Sequence, residues 1–147
     1  MPDQGAEVRA YPWRAMTRIL FVCRGNMVRS QIAEALYRKY RDDDVSSAGL
    51  LARTESHDGL PLRELGLQDW IRALQEMEGI DISQQVCKQI TEQMVHDADR
   101  VVVMAQAELW PDVLKQRRDL IRWDHVLDNG NIPDIIGEIK ALVTTML

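Results

Sequence analysis

Ile19-Leu20-Phe21-Val22-Cys23-Arg24-Gly25-Asn26-Met27-Val28-Arg29-Ser30, running into QIAEALYRKY at residues 31–40, decides how this chain is read. Its first five residues form a continuous apolar run of strand formers. The run stops at Arg-Gly-Asn, as a buried parallel strand feeding a turn does. Ser30 stands where an N-cap is expected. Beyond it Ala33, Leu36, Tyr37 and Tyr40 recur at i, i+3, i+4 and i+7, with Glu34 near the first turn, which predicts an amphipathic helix. A cysteine thus closes a strand, and a tight loop carries the chain from it into a helix.

The same alternation continues outward. Val45–Gly49 reads as a second strand, followed by a polar loop through Gly59. The spacing predicts a helix from Leu62 to Met77, ended by Gly79. A short helix capped by Ser83 is expected next, then one from Thr91 and Glu92 through His96. A strand follows from Arg100 to Met104. Glu108–Gln116 reads as a helix with Pro111 in its first turn, Leu120–Trp123 as a strand, and Asp124–Pro133 as a loop. Ile135, Ile139, Leu142 and Met146, widened by Ile136 and Val143, close the chain with a core-packed helix. Strands alternating with helices imply an α/β domain, a parallel sheet covered by helices on both faces, with ligands held beyond the carboxyl ends of the strands.

A length of 147 residues suits one domain, with residues 17–147 as the folded unit and residues 1–16 expected to be a frayed extension. Apolar residues at 46% and charged ones at 28% are ordinary globular usage. A net charge of −5 is the wrong sign for a protein that grips a nucleic acid backbone, although a local anion site remains compatible with it. Cys23 and Cys87 are too few for a disulfide framework, and no zinc spacing is present, so a reducing cytoplasm is the expected setting. No apolar stretch is long enough to span a bilayer, and the first 16 residues lack the apolar core of a secretion signal. No cofactor or metal is implied.

The chemistry concentrates in residues 23–30. Successive backbone N–H groups in such a loop can point inward as an anion-binding nest, and the helix beginning near Ser30 adds its positive end. The same field favours a nucleophilic thiolate at Cys23. Arg29 would hold two oxygens of an oxyanion in bidentate fashion, which Lys could not do. Ser30 could donate a hydrogen bond to the sulfur. Gly25 permits close backbone approach, while Asn26 tolerates left-handed geometry and can tie the loop to its neighbours. A bare Cys-x5-Arg spacing arises readily by chance, so the weight rests on its context of strand, Gly, Asn, Ser and helix.

ILFVCRGNMVRSQIAEAL resembles the signature of the low-molecular-weight protein tyrosine phosphatase family, an apolar strand, Cys-x-Gly-Asn-x-x-Arg-Ser and a helix. SSAGL, GIDIS, KQIT and DADRVVVMA extend the resemblance over about residues 17 to 147. It implies a single doubly wound domain with a four-stranded parallel sheet. It also implies metal-free hydrolysis of phosphomonoesters, phosphotyrosine above all, through a cysteinyl-phosphate. On that resemblance Cys23 is the nucleophile, Arg29 the phosphate clamp, Ser30 the partner of the thiolate and Asn26 the organiser of the loop. Arg24, Gly25, Asn26, Met27, Val28, Arg29 and Ser30 form the phosphate-binding loop. The expected substrate is a phosphorylated protein or a small aryl phosphate.

The family's general acid is an Asp followed by Pro after the last strand. Here that loop reads WDHVLDNGN, without the proline that would preset its geometry, so Asp128 is the candidate and Asp124 its rival. His125 reads as a loop residue, and His57 and His96 have no motif around them. Residues 129–140 lack the aromatic wall of many family members. The loop Leu50–Gly59, with Arg53 and His57, is expected to supply the other wall or to be solvated. Val28 occupies the place of a second, protective cysteine. Arsenate reduction is the rival activity, since arsenate is an isostere of phosphate. Met104 stands where a thioredoxin-coupled relay would need a cysteine, so only a version using an external thiol is left open. Cys87 reads as a small, partly buried apolar residue. A phosphate-binding module without catalysis, or a phosphocarrier, is the remaining alternative, against which Arg29 argues.

Overall fold

The computed structural model describes residues 17–147. The expected extension at residues 1–16 lies outside the described residues. The apolar run forms β1 (Arg18–Cys23), and the later strands are β2 (Asp44–Gly49), β3 (Arg100–Val103) and β4 (Ile121–Arg122). They form one sheet in the order β2-β1-β3-β4, with every pair parallel. Cys23 lies in register with Gly49 and Val22 with Val103. The order reverses at β1, which sends its connection to β2 on one side and receives β3 on the other. Such a reversal opens a crevice at the carboxyl ends of the strands, where Cys23 sits.

The side chains of β1 alternate between two cores, as the pleat requires. Ile19, Phe21 and Cys23 pack into one core with α1 (Arg29–Tyr40), α2 (Gln68–Glu78) and α5 (Ile132–Thr144). Phe21 lies 6.2 Å from the Tyr37 ring and 6.0 Å from that of Trp123. Leu20 and Val22 pack on the opposite face, in a core shared with Val95 of α3 (Glu92–Asp97) and Leu114 of α4 (Asp112–Lys115). This is the doubly wound single domain with a four-stranded parallel sheet.

Several local expectations are corrected. Ser30 is not an N-cap: α1 starts at Arg29, and Val28 occupies the cap position without a side-chain bond. Nor is α1 a simple amphipathic helix. All its residues from Arg29 to Tyr37 are buried, including Gln31 and Glu34, while Tyr40 is exposed. The helix expected over residues 62–77 is split. Leu62–Glu64 makes one tight turn, Gly66 takes φ +71°, and α2 begins only at Gln68 before ending at Gly79, φ +70°. No helix follows Ser83. Its N–H donates to Asp81, and the segment runs on to bridge Pro61 through Val86 and Gly49 through Gln89. The helix expected at 108–116 divides into a turn at Ala107–Leu109 and α4, with Pro111 between them. The final helix starts at Ile132, capped by the Asn131 side chain on the Asp134 N–H, so the preceding loop is shorter than expected.

Candidate active site

Cys23 ends β1 beneath the loop that leads into α1. It is only 2% exposed, but its sulfur faces polar groups. Sγ lies 3.0 Å from Ser30 Oγ and accepts the Asn26 N–H at 3.3 Å. Asn26 takes φ +58°, the left-handed geometry that asparagine tolerates, and this turns the chain tightly around the sulfur.

The direction of the Ser30 hydroxyl follows from its surroundings. The Lys88 backbone N–H donates to Asn26 Oδ1 at 2.8 Å, and a backbone amide can only donate. The Asn26 Nδ2 therefore faces the other way, donating to Ser30 Oγ at 2.8 Å and to Ser47 Oγ at 2.9 Å. The Ser47 hydroxyl in turn donates to the buried Glu34 carboxylate at 2.6 Å. Ser30, already accepting from Asn26, is left to donate to Cys23 Sγ. The Cys23 sulfur thus accepts from both the Ser30 hydroxyl and the Asn26 amide.

The carbonyls from Cys23 to Asn26 are all engaged by donors behind the loop. Those of Cys23 and Arg24 accept from the Leu50 and Leu51 amides at 3.0 and 2.8 Å. That of Gly25 lies 2.7 Å from His57 Nε2, which must carry the hydrogen because a carbonyl can only accept. That of Asn26 accepts from Gln31 Nε2 at 3.0 Å and Cys87 Sγ at 3.2 Å. The amides of Gly25, Met27 and Val28, by contrast, donate to no group among the described residues. A loop with its acceptors tied behind it and its donors unengaged has the geometry of an anion-binding nest at a helix N-terminus.

Arg29 is fixed from behind in the same way. Its Nη1 donates to the carbonyls of Met104 at 2.6 Å and Val126 at 2.9 Å. Its Nε is buried without a hydrogen-bond partner and lies 3.9 Å from Asp128 Oδ2. The Nε–Nη2 edge is the fork that matches two oxygens of an oxyanion. Arg29 lines a cavity of about 230 Å³ together with Arg24, Gln106, Leu109, Leu127 and Asp128.

Of the residues singled out in the sequence, Cys23, Ser30 and Asn26 are joined by hydrogen bonds, and Arg29 and Asp128 line the cavity, whose lining does not include Cys23. Asp124 does not line the cavity. Its carboxylate pairs with Arg122 at 2.9 Å, and that bond holds it below the usual carboxylate range. His125 is exposed near Glu138, and His96 borders a different depression beside Arg117. Arg53 points to Asp58 in solvent rather than into the cavity. His57, unmarked by any motif, is buried and grips the loop. Cys87 is more than an apolar filler. Burial, with Cys23 nearby, pushes its thiol up to about 11, so it stays protonated and donates to the loop.

The family model described as low molecular weight phosphotyrosine protein phosphatase matches residues 18–122. The chain belongs to this family. The match contains the whole of the cysteine loop and ends before Asp124 and Asp128. An arsenate reductase of Halalkalibacterium halodurans is 39% identical over 88 residues, 58% of this chain and 55% of that protein. The low molecular weight protein-tyrosine-phosphatase YfkJ of Bacillus subtilis is 33% identical over 97 residues, 60% of this chain and 56% of that protein. The matched segment thus spans about half the length of these curated relatives. The solved structure of Vibrio vulnificus Wzb in complex with benzylphosphonate superposes with a TM-score of 0.74 at 20% identity, covering 90% of this chain and 97% of that one, a likeness of fold. Family membership supports a phosphatase-type or arsenate-reductase-type activity. None of the described helices is long and apolar enough to cross a membrane.

Proposed function

We propose that this chain is a cysteine-dependent phosphomonoesterase that acts on aryl phosphates, phosphotyrosine among them, through a cysteinyl-phosphate. The observation that carries this reading is the buried Arg29 Nε, unpartnered in the first turn of the helix that follows a loop whose Asn26 amide donates to the Cys23 sulfur. The thiolate attacks phosphorus while the phosphoryl oxygens lie on the loop amides and the Arg29 fork, which also stabilise the charge of the transition state. Asp128 protonates the departing phenolic oxygen. It then takes a proton from the water that cleaves the S–P bond, and Ser30 receives the returning thiolate with its hydroxyl hydrogen. Asp124 is the weaker choice for the acid. Its bond to Arg122 favours the ionised form, whereas an acid must hold a proton.

The second reading is reduction of arsenate with an external small thiol, favoured by the arsenate reductases among the relatives. Met104, fully buried at the end of β3, offers no relay sulfur. A non-catalytic phosphate-binding module is the third. Hydrolysis of p-nitrophenyl phosphate with and without EDTA, beside thiol-dependent arsenate turnover, separates the three. The expected result is phosphatase activity that is abolished in Cys23→Ser and indifferent to chelation. Residual activity in Cys23→Ser, or loss with EDTA, overturns the mechanism. Faster turnover of arsenate transfers the assignment to the second reading, and no turnover of either supports the third.

A further inference from the structure

The Arg24 side chain takes no part in the chemistry above, yet it lines the same cavity as Arg29. It is 55% exposed but not free to wander. Its Nε and Nη2 lie 3.0 and 2.9 Å from a single oxygen, Glu55 Oε2. This contact engages the Nε–Nη2 edge of the guanidinium and leaves Nη1 out of the pair. Glu55 belongs to the loop after β2, the same loop whose His57 holds the Gly25 carbonyl, so Arg24 and the anion nest are set in position together.

Three features make this second cation matter. The cavity, at about 230 Å³, is smaller than the roughly 300 Å³ from which drug-sized pockets start, so the rest of a bound phosphomonoester must emerge past its rim. Leu109 and Leu127 are among the apolar residues that line the cavity, and among the described residues no aromatic ring lines it to select a flat substrate. The chain as a whole carries −5, so an anionic substrate gains nothing from the distant field and must be recognised by cations within about a Debye length of roughly 8 Å. A guanidinium matches a planar carboxylate better than any other side chain does.

We propose that Arg24 is a specificity-determining residue that selects phosphomonoesters carrying a second anionic group, such as a carboxylate, beside the phosphate to be removed. The proposal rests on the phosphomonoesterase reading and names its substrate class. Glu55 competes for Arg24, which tempers the preference.

The test compares kcat/KM for 3-carboxyphenyl phosphate and its uncharged 3-carbamoyl analogue, which differ in charge at nearly constant shape. The wild-type protein should favour the carboxylate by about tenfold, a preference that falls with added salt. Arg24→Leu and Arg24→Gln should bring the ratio close to one, Arg24→Glu should invert it, and Glu55→Gln should raise it above wild type. The two neutral replacements guard against one that fails to fold. An equal ratio in wild type and Arg24→Gln overturns the proposal. If neither ester is hydrolysed, the phosphomonoesterase reading fails by itself. The affinities of 3-carboxybenzylphosphonate and its carboxamide, measured by calorimetry on the same variants, then decide the role of Arg24, and equal affinities across the set overturn it.

Discussion

A single methyl group at Gly49 tests whether the loop is held where described. Gly49 closes β2 directly opposite Cys23. A Cβ placed on it would lie 2.5 Å from the Gly25 carbonyl carbon, 2.6 Å from the Asn26 nitrogen and 2.9 Å from the Gly25 oxygen. Carbon contacts become comfortable only near 3.5 Å, so the overlap is about 1 Å. The obstructing atoms are backbone, held by His57 on one side and by the sulfur on the other, and no rotamer change relieves them. In Gly49→Ala either the strand or the 25–26 peptide must move by about that amount. Such overpacking costs about 1–3 kcal/mol, within a typical domain stability of about 5–15 kcal/mol, so the variant should fold with a lower urea midpoint. Displacing a catalytic group by about 1 Å costs about 10²-fold, and that loss in kcat/KM on p-nitrophenyl phosphate is expected together with weaker inhibition by inorganic phosphate. Gly137→Ala is the control. Its site is exposed on α5 with nothing within 4 Å of a new Cβ, so it should stabilise by about 0.5–1 kcal/mol without changing the kinetics. Wild-type kcat/KM in Gly49→Ala, or a loss that merely tracks the unfolded fraction, would refute the contact.

The general acid is tested by leaving-group dependence: Asp128→Asn should slow phenyl phosphate by about 10²- to 10⁴-fold and p-nitrophenyl phosphate far less, while Asp124→Asn changes neither. Equal losses on both esters in Asp128→Asn, with a selective loss in Asp124→Asn, would move the role to Asp124. The Cys87 thiol ordinarily titrates near 9 and is pushed by burial to about 11, so above pH 9 the unfolded chain gives up a proton that the folded one keeps. Stability should therefore fall as pH rises from about 9 to 11, by at most roughly 2–3 kcal/mol. Cys87→Ala should flatten this slope in urea titrations, and an unchanged slope would show that Cys87 is not the group responsible.

How far the sequence reached depended on how local the cause was. β1 and its loop were legible because an apolar run, a glycine and an asparagine act within a few residues of one another. Ser30 was misread as a cap because the same residue type suits both jobs, and only the position of the sulfur shows that its hydroxyl is engaged elsewhere. The helix over 62–77 was overextended because its apolar spacing runs on across Gly66, whose positive φ breaks the hydrogen-bonded ladder. Helical periodicity marks Ala33, Leu36, Tyr37 and Tyr40 but cannot foresee that Gln31 and Glu34 form a polar layer buried against β2 and the segment at 85–88. His57 and Cys87 were the hardest, because their acceptors, the Gly25 and Asn26 carbonyls, lie 32 and 61 residues away.

These distant partners explain how an acidic chain can hold an anion. In a tight turn each peptide plane carries its N–H and C=O on opposite sides, so fixing the carbonyls outward fixes the amides inward. Every carbonyl from Cys23 to Asn26 has a donor behind it, supplied by the β2 edge, His57, Gln31 and Cys87. The orientation of the nest thus precedes any ligand, and little reorganisation remains to be done when charge develops on the phosphoryl oxygens. Arg29 follows the same logic through Met104 and Val126, which hold one nitrogen so that the Nε edge faces the cavity. On the proposed reading, what would attract the anion is the direction of a few dipoles and two guanidinium groups. The sum of charges over the chain has little bearing on it, because charges farther off than about 8 Å are screened.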